Sequence, residues 1–177
     1  VGALVPRKGH KVLIEALSIL SDRRWSLTCI GDPYRDKRSA TQIMNLARRR
    51  GLTRRVKFLG TVDEATLIEN YRRAHVFVLA SHHEGYGMAL AEALSYGLPV
   101  ISTTAGAIAH TVPKSASLLV PPGNVRALTA SLARFLDEPR CRSRLVAGAR
   151  GSKWRQRSWQ ITVHTFTLEI KQLINDR

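Results

Sequence analysis

Short apolar runs alternate with amphipathic segments along almost the whole chain, and this alternation strongly restricts the possible folds. Each run has the length and composition of a buried β-strand. The six runs lie at residues 1–5, 25–30, 56–59, 75–80, 99–102 and 117–120. Strands that alternate with helices predict an α/β domain. We therefore expect a doubly wound, Rossmann-like parallel sheet of about six strands with helices on both faces.

The segments between the runs carry apolar residues with helical spacing, and several have recognisable ends. Helices are predicted at residues 11–20, 39–50, 63–74, 87–95, 125–136, 139–150 and 158–174, and residues 105–111 form a loop or a short helix. Asp63 and Asn124 are expected to cap two of these helices at the N-terminus, and Gly51 to cap one at the C-terminus. The 177 residues are enough for one domain with a substantial core.

The loop after the fourth apolar run carries a carboxylate on either side of a glycine turn. Residues 80–102 read ASHHEGYGMALAEALSYGLPVIS, so Glu84 precedes Gly85 and Gly87, and Glu92 follows inside the next helix. Glu92 is expected about 7.5 Å along the helix from Gly87. The unpaired N–H groups at a helix start attract anions, and glycine lets a phosphate approach the backbone.

This arrangement fits a nucleoside diphosphate sugar, with Glu92 on the ribose hydroxyls and Glu84 on the sugar hydroxyls. The spacing alone is equally that of an ordinary solvated loop before a helix. Ligands of doubly wound sheets bind at the carboxyl ends of the strands, where the glycine loops of this chain are expected to gather. That convergence favours a binding site.

The chain is strongly basic, with 28 Lys and Arg against 13 Asp and Glu and a net charge of +15. Basic residues cluster at 48–55 and 134–157, and such a charge attracts nucleotides, nucleic acid or anionic lipid surfaces. No zinc-finger, RRM or KH pattern is present, so a nucleic-acid partner is not expected. The charge permits contact with an anionic membrane.

Cys29 and Cys141 stand alone, without the spacing of a metal site. Two isolated cysteines favour a reducing, cytoplasmic compartment. The adjacent His82 and His83 point in different directions and make a poor metal pair. No apolar run approaches the roughly 20 residues needed to cross a membrane.

Residues 84–92 resemble the E-x7-E signature of retaining glycosyltransferases of family 4, which have the GT-B fold. Further segments resemble the same family in the same order along the chain. These are Lys8-Gly9, Gly31-Asp32-Pro33, VKFLGTV at 56–62, TTAGAIAH at 103–110, LLVPPGN at 118–124 and Ser158-Trp159. The chain departs from the family at Ala3, where an Arg is usual, and at Ala107, Ala109 and His110.

The resemblance implies that residues 1–177 form a single donor-binding domain, with an N-terminal acceptor domain absent from this chain. The full protein would transfer a sugar from a UDP-, GDP- or ADP-sugar to an acceptor hydroxyl on a glycan or lipid, with retention. Cell-envelope or polysaccharide biosynthesis at the inner face of the membrane is the expected setting. No cofactor and no bound metal are expected, and the isolated domain should be inactive.

The resemblance also assigns roles to residues. The implied donor-binding residues are Lys8, Thr61, Val62, Glu84, Gly85, Tyr86, Gly87, Met88, Glu92 and Gly106. Lys8 and the N–H groups of residues 86–88 would hold the diphosphate, and Thr61 and Val62 would lie near the base. Gly106 would face the sugar. Glu84 and Lys8 are the expected catalytic residues. The alternative is a catalytically degenerate nucleotide-binding or interaction module, marked by Ala3, or a charge-driven nucleic-acid binder.

Overall fold

The computed structural model describes residues 1–152, in which short strands alternate with helices. The strands are β1 (Leu27–Ile30), β2 (Val56–Gly60), β3 (Phe77–Leu79), β4 (Val100–Thr103) and β5 (Ser117–Val120). The helices are α1 (His10–Ile19), α2 (Lys37–Arg49), α3 (Glu64–Arg73), α4 (Met88–Ser95), α5 (Ile108–Thr111), α6 (Val125–Asp137) and α7 (Pro139–Arg150). The predicted helix at 158–174 and the Ser158-Trp159 match lie outside the described residues.

Every strand pair is parallel, and helices cover both faces of the sheet. β1 pairs with β2, and β3, β4 and β5 pair in that order. Neighbouring residues of β4 point to opposite faces, as the pleat requires. Val100 packs with side chains of α4 and α5, whereas Ile101 packs with side chains of α1 and α6. The predicted α/β class with a parallel sheet is confirmed.

The prediction of a strand at residues 1–5 is wrong, and the described residues contain five strands in two separate sheets. The segment does lie beside β1, because the Gly2 N–H donates to the Ile30 carbonyl at 2.7 Å. It then bends: the Val5 N–H donates back to the Ala3 carbonyl at 2.9 Å, and Pro6 opens a 3-10 turn. The Leu4 N–H still donates to the Asp32 carbonyl at 3.2 Å, and the turn then ends the pairing before a longer ladder can form.

Local capping signals were predicted well. The side chain of Asp63 accepts a hydrogen bond from the Thr66 N–H at 2.7 Å, and Asn124 accepts one from the Ala127 N–H at 2.9 Å. Gly51 lies one residue beyond the C-cap of α2, which is Arg50. These ends fix where the chain leaves each helix and returns to the sheet.

Buried hydroxyl groups join the carboxyl ends of β3 and β4. Ser102 Oγ donates to the Leu79 carbonyl at 2.6 Å, and Thr103 Oγ1 donates to the Ser81 carbonyl at 2.7 Å. These bonds hold together the loops that follow the two strands. The loop at 80–87 after β3 is called the Glu84 loop below, and the loop at 104–107 after β4 the Gly106 loop.

Candidate functional site

The carboxylate of Glu84 is buried and surrounded by donors. Lys8 Nζ donates to Glu84 Oε1 at 2.7 Å, and Ser81 Oγ donates to the same oxygen at 2.6 Å. Arg7 Nη1 lies 3.5 Å from Oε2. The side chain of Lys8 is also largely buried, whereas that of Arg7 is half exposed. The turn before α1 and the Glu84 loop therefore meet in a close, hydrogen-bonded ion pair.

These donors keep Glu84 charged. Burial alone would raise the pKa of the carboxyl group. The hydrogen bonds from Lys8 and Ser81 and the positive charges of Lys8 and Arg7 outweigh burial, so the pKa lies below its ordinary value of 4.5. The site consequently contains a carboxylate and two cations at neutral pH.

Glu84→Gln is expected to flatten the acid side of the stability profile. In the folded protein the pKa is below the unfolded value of 4.5, so between the two values the unfolded state binds more protons. The stabilisation by Glu84 is therefore complete above the unfolded pKa and is lost as the pH falls through the folded pKa. Urea unfolding between about pH 6 and about pH 3 should show a smaller loss of stability in the variant.

The matched control for this measurement is Glu138→Gln. Glu138 forms an exposed ion pair with Arg134, at 3.0 Å between Oε2 and Nε. Exposed pairs contribute little, so this variant should keep the wild-type slope. A wild-type slope in Glu84→Gln would contradict the role assigned to the buried carboxylate.

The Gly106 loop holds the backbone of the Glu84 loop. Gly106 has φ +60°, and a Cβ at this position would lie 2.1 Å from the Glu84 carbonyl oxygen. The Ala107 N–H donates to that same oxygen at 3.0 Å. Thr111 Oγ1 donates to the Tyr86 carbonyl at 2.8 Å. Gly106 thus lies against the backbone that carries Glu84.

The N-terminus of α4 lies directly after this loop. Gly87 is the N-cap, with φ +78°, and no side chain from the described part of the chain caps the helix there. Tyr86 and Met88 are exposed on either side of it, and apart from the chain neighbours no described atom lies within 4 Å of the place that a Cβ at Gly85 would take. The start of α4 therefore offers backbone N–H groups beside exposed side chains, as an anion site requires.

Glu92 lies on α4 and is exposed, in contrast to Glu84. Its Oε2 accepts a hydrogen bond from the hydroxyl of Tyr71 at 3.0 Å. Tyr71 comes from α3 and is buried. The two acids at the ends of the glycine turn therefore differ. Glu84 is in a buried ion pair, whereas Glu92 is exposed and accepts a hydrogen bond from a buried, neutral phenol.

Thr61 and Val62 follow β2, whereas the Glu84 and Gly106 loops follow strands of the other sheet. Their role near the base stays a prediction. Among residues 1–152, no three His, Cys, Asp or Glu residues come close enough to hold a metal ion. The metal-free site also stays a prediction.

A model of the family described as "Glycosyl transferases group 1" matches residues 1–152. The chain belongs to this family. The predicted glycosyltransferase domain is thereby confirmed at family level, and with it the predicted fold class.

Curated proteins and solved structures resemble this group 1 chain along most of its length. D-inositol 3-phosphate glycosyltransferase of Corynebacterium efficiens is 30% identical, over 92% of this chain and 40% of the relative. Sucrose-phosphate synthase of Thermosynechococcus elongatus is 27% identical with a TM-score of 0.85, over 99% of this chain and 45% of that chain. HepE of Anabaena, solved in complex with UDP, is 23% identical with a TM-score of 0.81, over 97% and 48%. The chain thus spans less than half the length of each.

Three partners in this group 1 site were not assigned from the sequence. Ser81 and Arg7 contact the Glu84 carboxylate, and Tyr71 contacts Glu92. A signal existed for Tyr71, because it lies four residues after Leu67 and therefore on the same face of α3, which packs on the core. The sequence shows that Arg7 is adjacent to Lys8, but it does not show that the Arg7 side chain points toward Glu84.

Within the described part of the chain, no helix is long and apolar enough to cross a bilayer.

Proposed function

We propose that this chain is the donor-binding domain of a family 4 retaining glycosyltransferase with the GT-B fold and the E-x7-E motif. The whole protein transfers a sugar from a nucleotide diphosphate sugar to an acceptor hydroxyl. The observation that carries the proposal is the Lys8–Glu84 ion pair beside the N-terminus of α4. It places a cation, a carboxylate and backbone N–H groups at one sheet edge, where doubly wound folds bind ligands.

The local charge favours a diphosphate. Lys8 and Arg7 bring two positive charges to the single carboxylate of Glu84, so one positive charge remains in excess. The helix start adds a partial positive charge and N–H donors at residues 86–88. Negative charge grows on the diphosphate as the sugar–oxygen bond breaks. Preorganised donors aimed at that charge stabilise the transition state more than the ground state.

The two acids of the motif have separate roles in this scheme. Glu84 Oε1 already accepts two hydrogen bonds, but among residues 1–152 the one polar contact of Oε2 is that with Arg7 at 3.5 Å. A sugar hydroxyl that displaces Arg7 donates to Oε2, and Glu84 thereby orients the sugar. Glu92 is exposed, and it accepts hydrogen bonds from the ribose hydroxyls.

The setting of the reaction follows from the same proposal. The donor is a UDP-, GDP- or ADP-sugar. HepE shares this fold and was solved with bound UDP, which supports nucleotide binding at this sheet edge. The proposal includes neither a metal nor a cofactor, since Lys8 and the N–H groups stabilise the negative charge of the diphosphate. An N-terminal domain binds the acceptor glycan or lipid, in cell-envelope or polysaccharide synthesis. The basic surface allows contact with the cytoplasmic face of an anionic membrane.

Glu92→Ala is expected to weaken nucleotide binding at least about tenfold, because each hydrogen bond to a charged group contributes about 1.5–3 kcal/mol. Isothermal titration calorimetry of the purified protein with UDP, GDP and ADP measures this. One of the three should bind best to the wild type, and that base identifies the donor.

The matched control is Glu69→Ala, which removes an exposed glutamate of α3. Its affinity should equal that of the wild type. If no nucleotide binds, and the wild type and Glu92→Ala behave alike, the donor site is disproved. Membership of the group 1 family does not favour a degenerate module or a nucleic-acid binder.

A further inference from the structure

We propose that Tyr71 is a positioning residue that sets the ribose selectivity of the donor site by anchoring the Glu92 carboxylate. The inference rests on the proposed function, because it takes Glu92 as the group that binds the ribose hydroxyls. Tyr71 does not touch the nucleotide in this scheme. It acts through the 3.0 Å hydrogen bond from its hydroxyl to Glu92 Oε2.

The ring of Tyr71 is fixed by its neighbours. It is 3% exposed and belongs to the core cluster under α4. Its centroid lies 5.1 Å from that of Tyr96 with the rings nearly parallel, and 6.1 Å from that of Phe77. A phenol packed in this way keeps its hydroxyl in one place. The anchor for Glu92 is therefore part of the rigid core.

Glu92 itself has no such packing. An exposed glutamate has several rotatable bonds, and ordering it on a ligand lowers the affinity. The Tyr71 hydroxyl orders it in advance by holding one carboxylate oxygen. Among the described residues, no hydrogen bond to Oε1 competes for the other oxygen. Preorganisation of the Glu92 carboxylate strengthens the contacts that its oxygens make with a ligand. In the proposed site these are the hydrogen bonds from the ribose hydroxyls.

The direction of the hydrogen bond is also fixed. Burial raises the pKa of the Tyr71 phenol, and the negative charge of Glu92 and the hydrogen bond to it raise it further. The phenol therefore remains protonated and donates, while Glu92 remains the acceptor. Phenylalanine has the same ring but no hydroxyl, so Tyr71→Phe removes the anchor and leaves the packing in place.

The test is calorimetry with UDP, GDP and ADP and their 2′-deoxy forms, on the wild type and on Tyr71→Phe. The wild type should bind the ribonucleotide at least about tenfold more tightly than the deoxy form, since a site built to bind a hydroxyl rejects the ligand that lacks it. Tyr71→Phe should weaken ribonucleotide binding about three- to tenfold, within the range for ordering one flexible side chain on a ligand. The deoxy form keeps only the 3′ hydroxyl and should lose less affinity, so the selectivity ratio falls.

Two controls separate positioning from a general packing defect. Tyr96→Phe removes a hydroxyl from the stacked, partly exposed partner ring and should leave the selectivity ratio unchanged. In a Glu92→Ala background, Tyr71→Phe should have no further effect, because the group that it positions is gone. A general packing defect would instead weaken both nucleotide forms alike and would persist in that background.

The outcomes distinguish the two proposals. If the wild type binds no nucleotide, the proposed function fails. If the wild type binds and discriminates but Tyr71→Phe keeps the wild-type ratio, only the role of Tyr71 is overturned. A wild type that binds both forms equally also overturns that role. A fall in the ratio that disappears in the Glu92→Ala background supports it.

Discussion

Replacement of Lys8 by methionine is expected to lower the free energy of unfolding by about 3 kcal/mol and to abolish measurable nucleotide binding. Methionine fills similar space but carries no charge. Glu84 would keep the hydrogen bond from Ser81 and the long contact with Arg7, but it would lose its 2.7 Å partner. A buried carboxylate without its cation is costly. Urea unfolding at neutral pH measures the first effect, and calorimetry with the preferred nucleotide measures the second.

The double variant Lys8→Met/Glu84→Gln distinguishes the structural effect from the binding effect. Removing both charges leaves no unpaired ion, so most of the lost stability should return. Nucleotide binding should not return, because the double variant still lacks Lys8, which holds the diphosphate in the proposed site. If the double variant is no more stable than Lys8→Met alone, the ion pair does not account for the loss.

Local signals in the sequence predicted much of the fold. Asp63 and Asn124 cap helices through the backbone N–H three residues ahead, so both ends of the interaction lie in one short segment. β5 and α7 have the predicted bounds, because a proline follows the last residue of β5 and another proline is the first residue of α7. Residues 1–5 have the composition of a strand, yet a strand also needs a regular ladder with a neighbour. Composition does not encode that ladder.

The sequence predicts that the glycine loops gather at one sheet edge, but it does not predict which atoms pair there. The sequence predicts that Lys8 and Glu84 lie at one sheet edge and that Lys8 binds the diphosphate and Glu84 the sugar. In the structure they face each other at 2.7 Å. This pairing depends on how closely the turn before α1 approaches β3, which is a matter of packing. The same holds for Tyr71 and Glu92, which come from helices separated by a strand.

The two acids of the motif therefore differ in more than position. Glu84 is stabilised as an anion by two cations, so ligand binding there must rearrange an existing ion pair. Glu92 is held by a neutral donor and needs no such rearrangement. We infer that ribose recognition uses a preformed contact, whereas sugar recognition requires exchange of partners at Glu84. Sequence spacing places the two acids on either side of the glycine turn but does not show this difference between their partners.

Gly106→Ala is expected to lower the free energy of unfolding by about 3 kcal/mol and to weaken nucleotide binding. The new Cβ would lie 2.1 Å from the Glu84 carbonyl oxygen, so one of the two loops must move. The Ala107 N–H bond to the same oxygen would be strained as well. Because that backbone carries Glu84, the displacement should alter the ion pair with Lys8. Urea unfolding and calorimetry measure the two effects.

Gly51→Ala is the matched control, because it separates backbone strain from the contact with the Glu84 loop. Gly51 has φ +70°, close to the +60° of Gly106. Apart from its chain neighbours, no atom of residues 1–152 lies within 4 Å of the methyl carbon that alanine would add. Alanine at residue 51 should therefore cost only the left-handed backbone penalty of about 1 kcal/mol. It should leave nucleotide affinity unchanged. Equal losses of stability in the two variants, with equal affinities, would show that the Gly106 loop does not support Glu84.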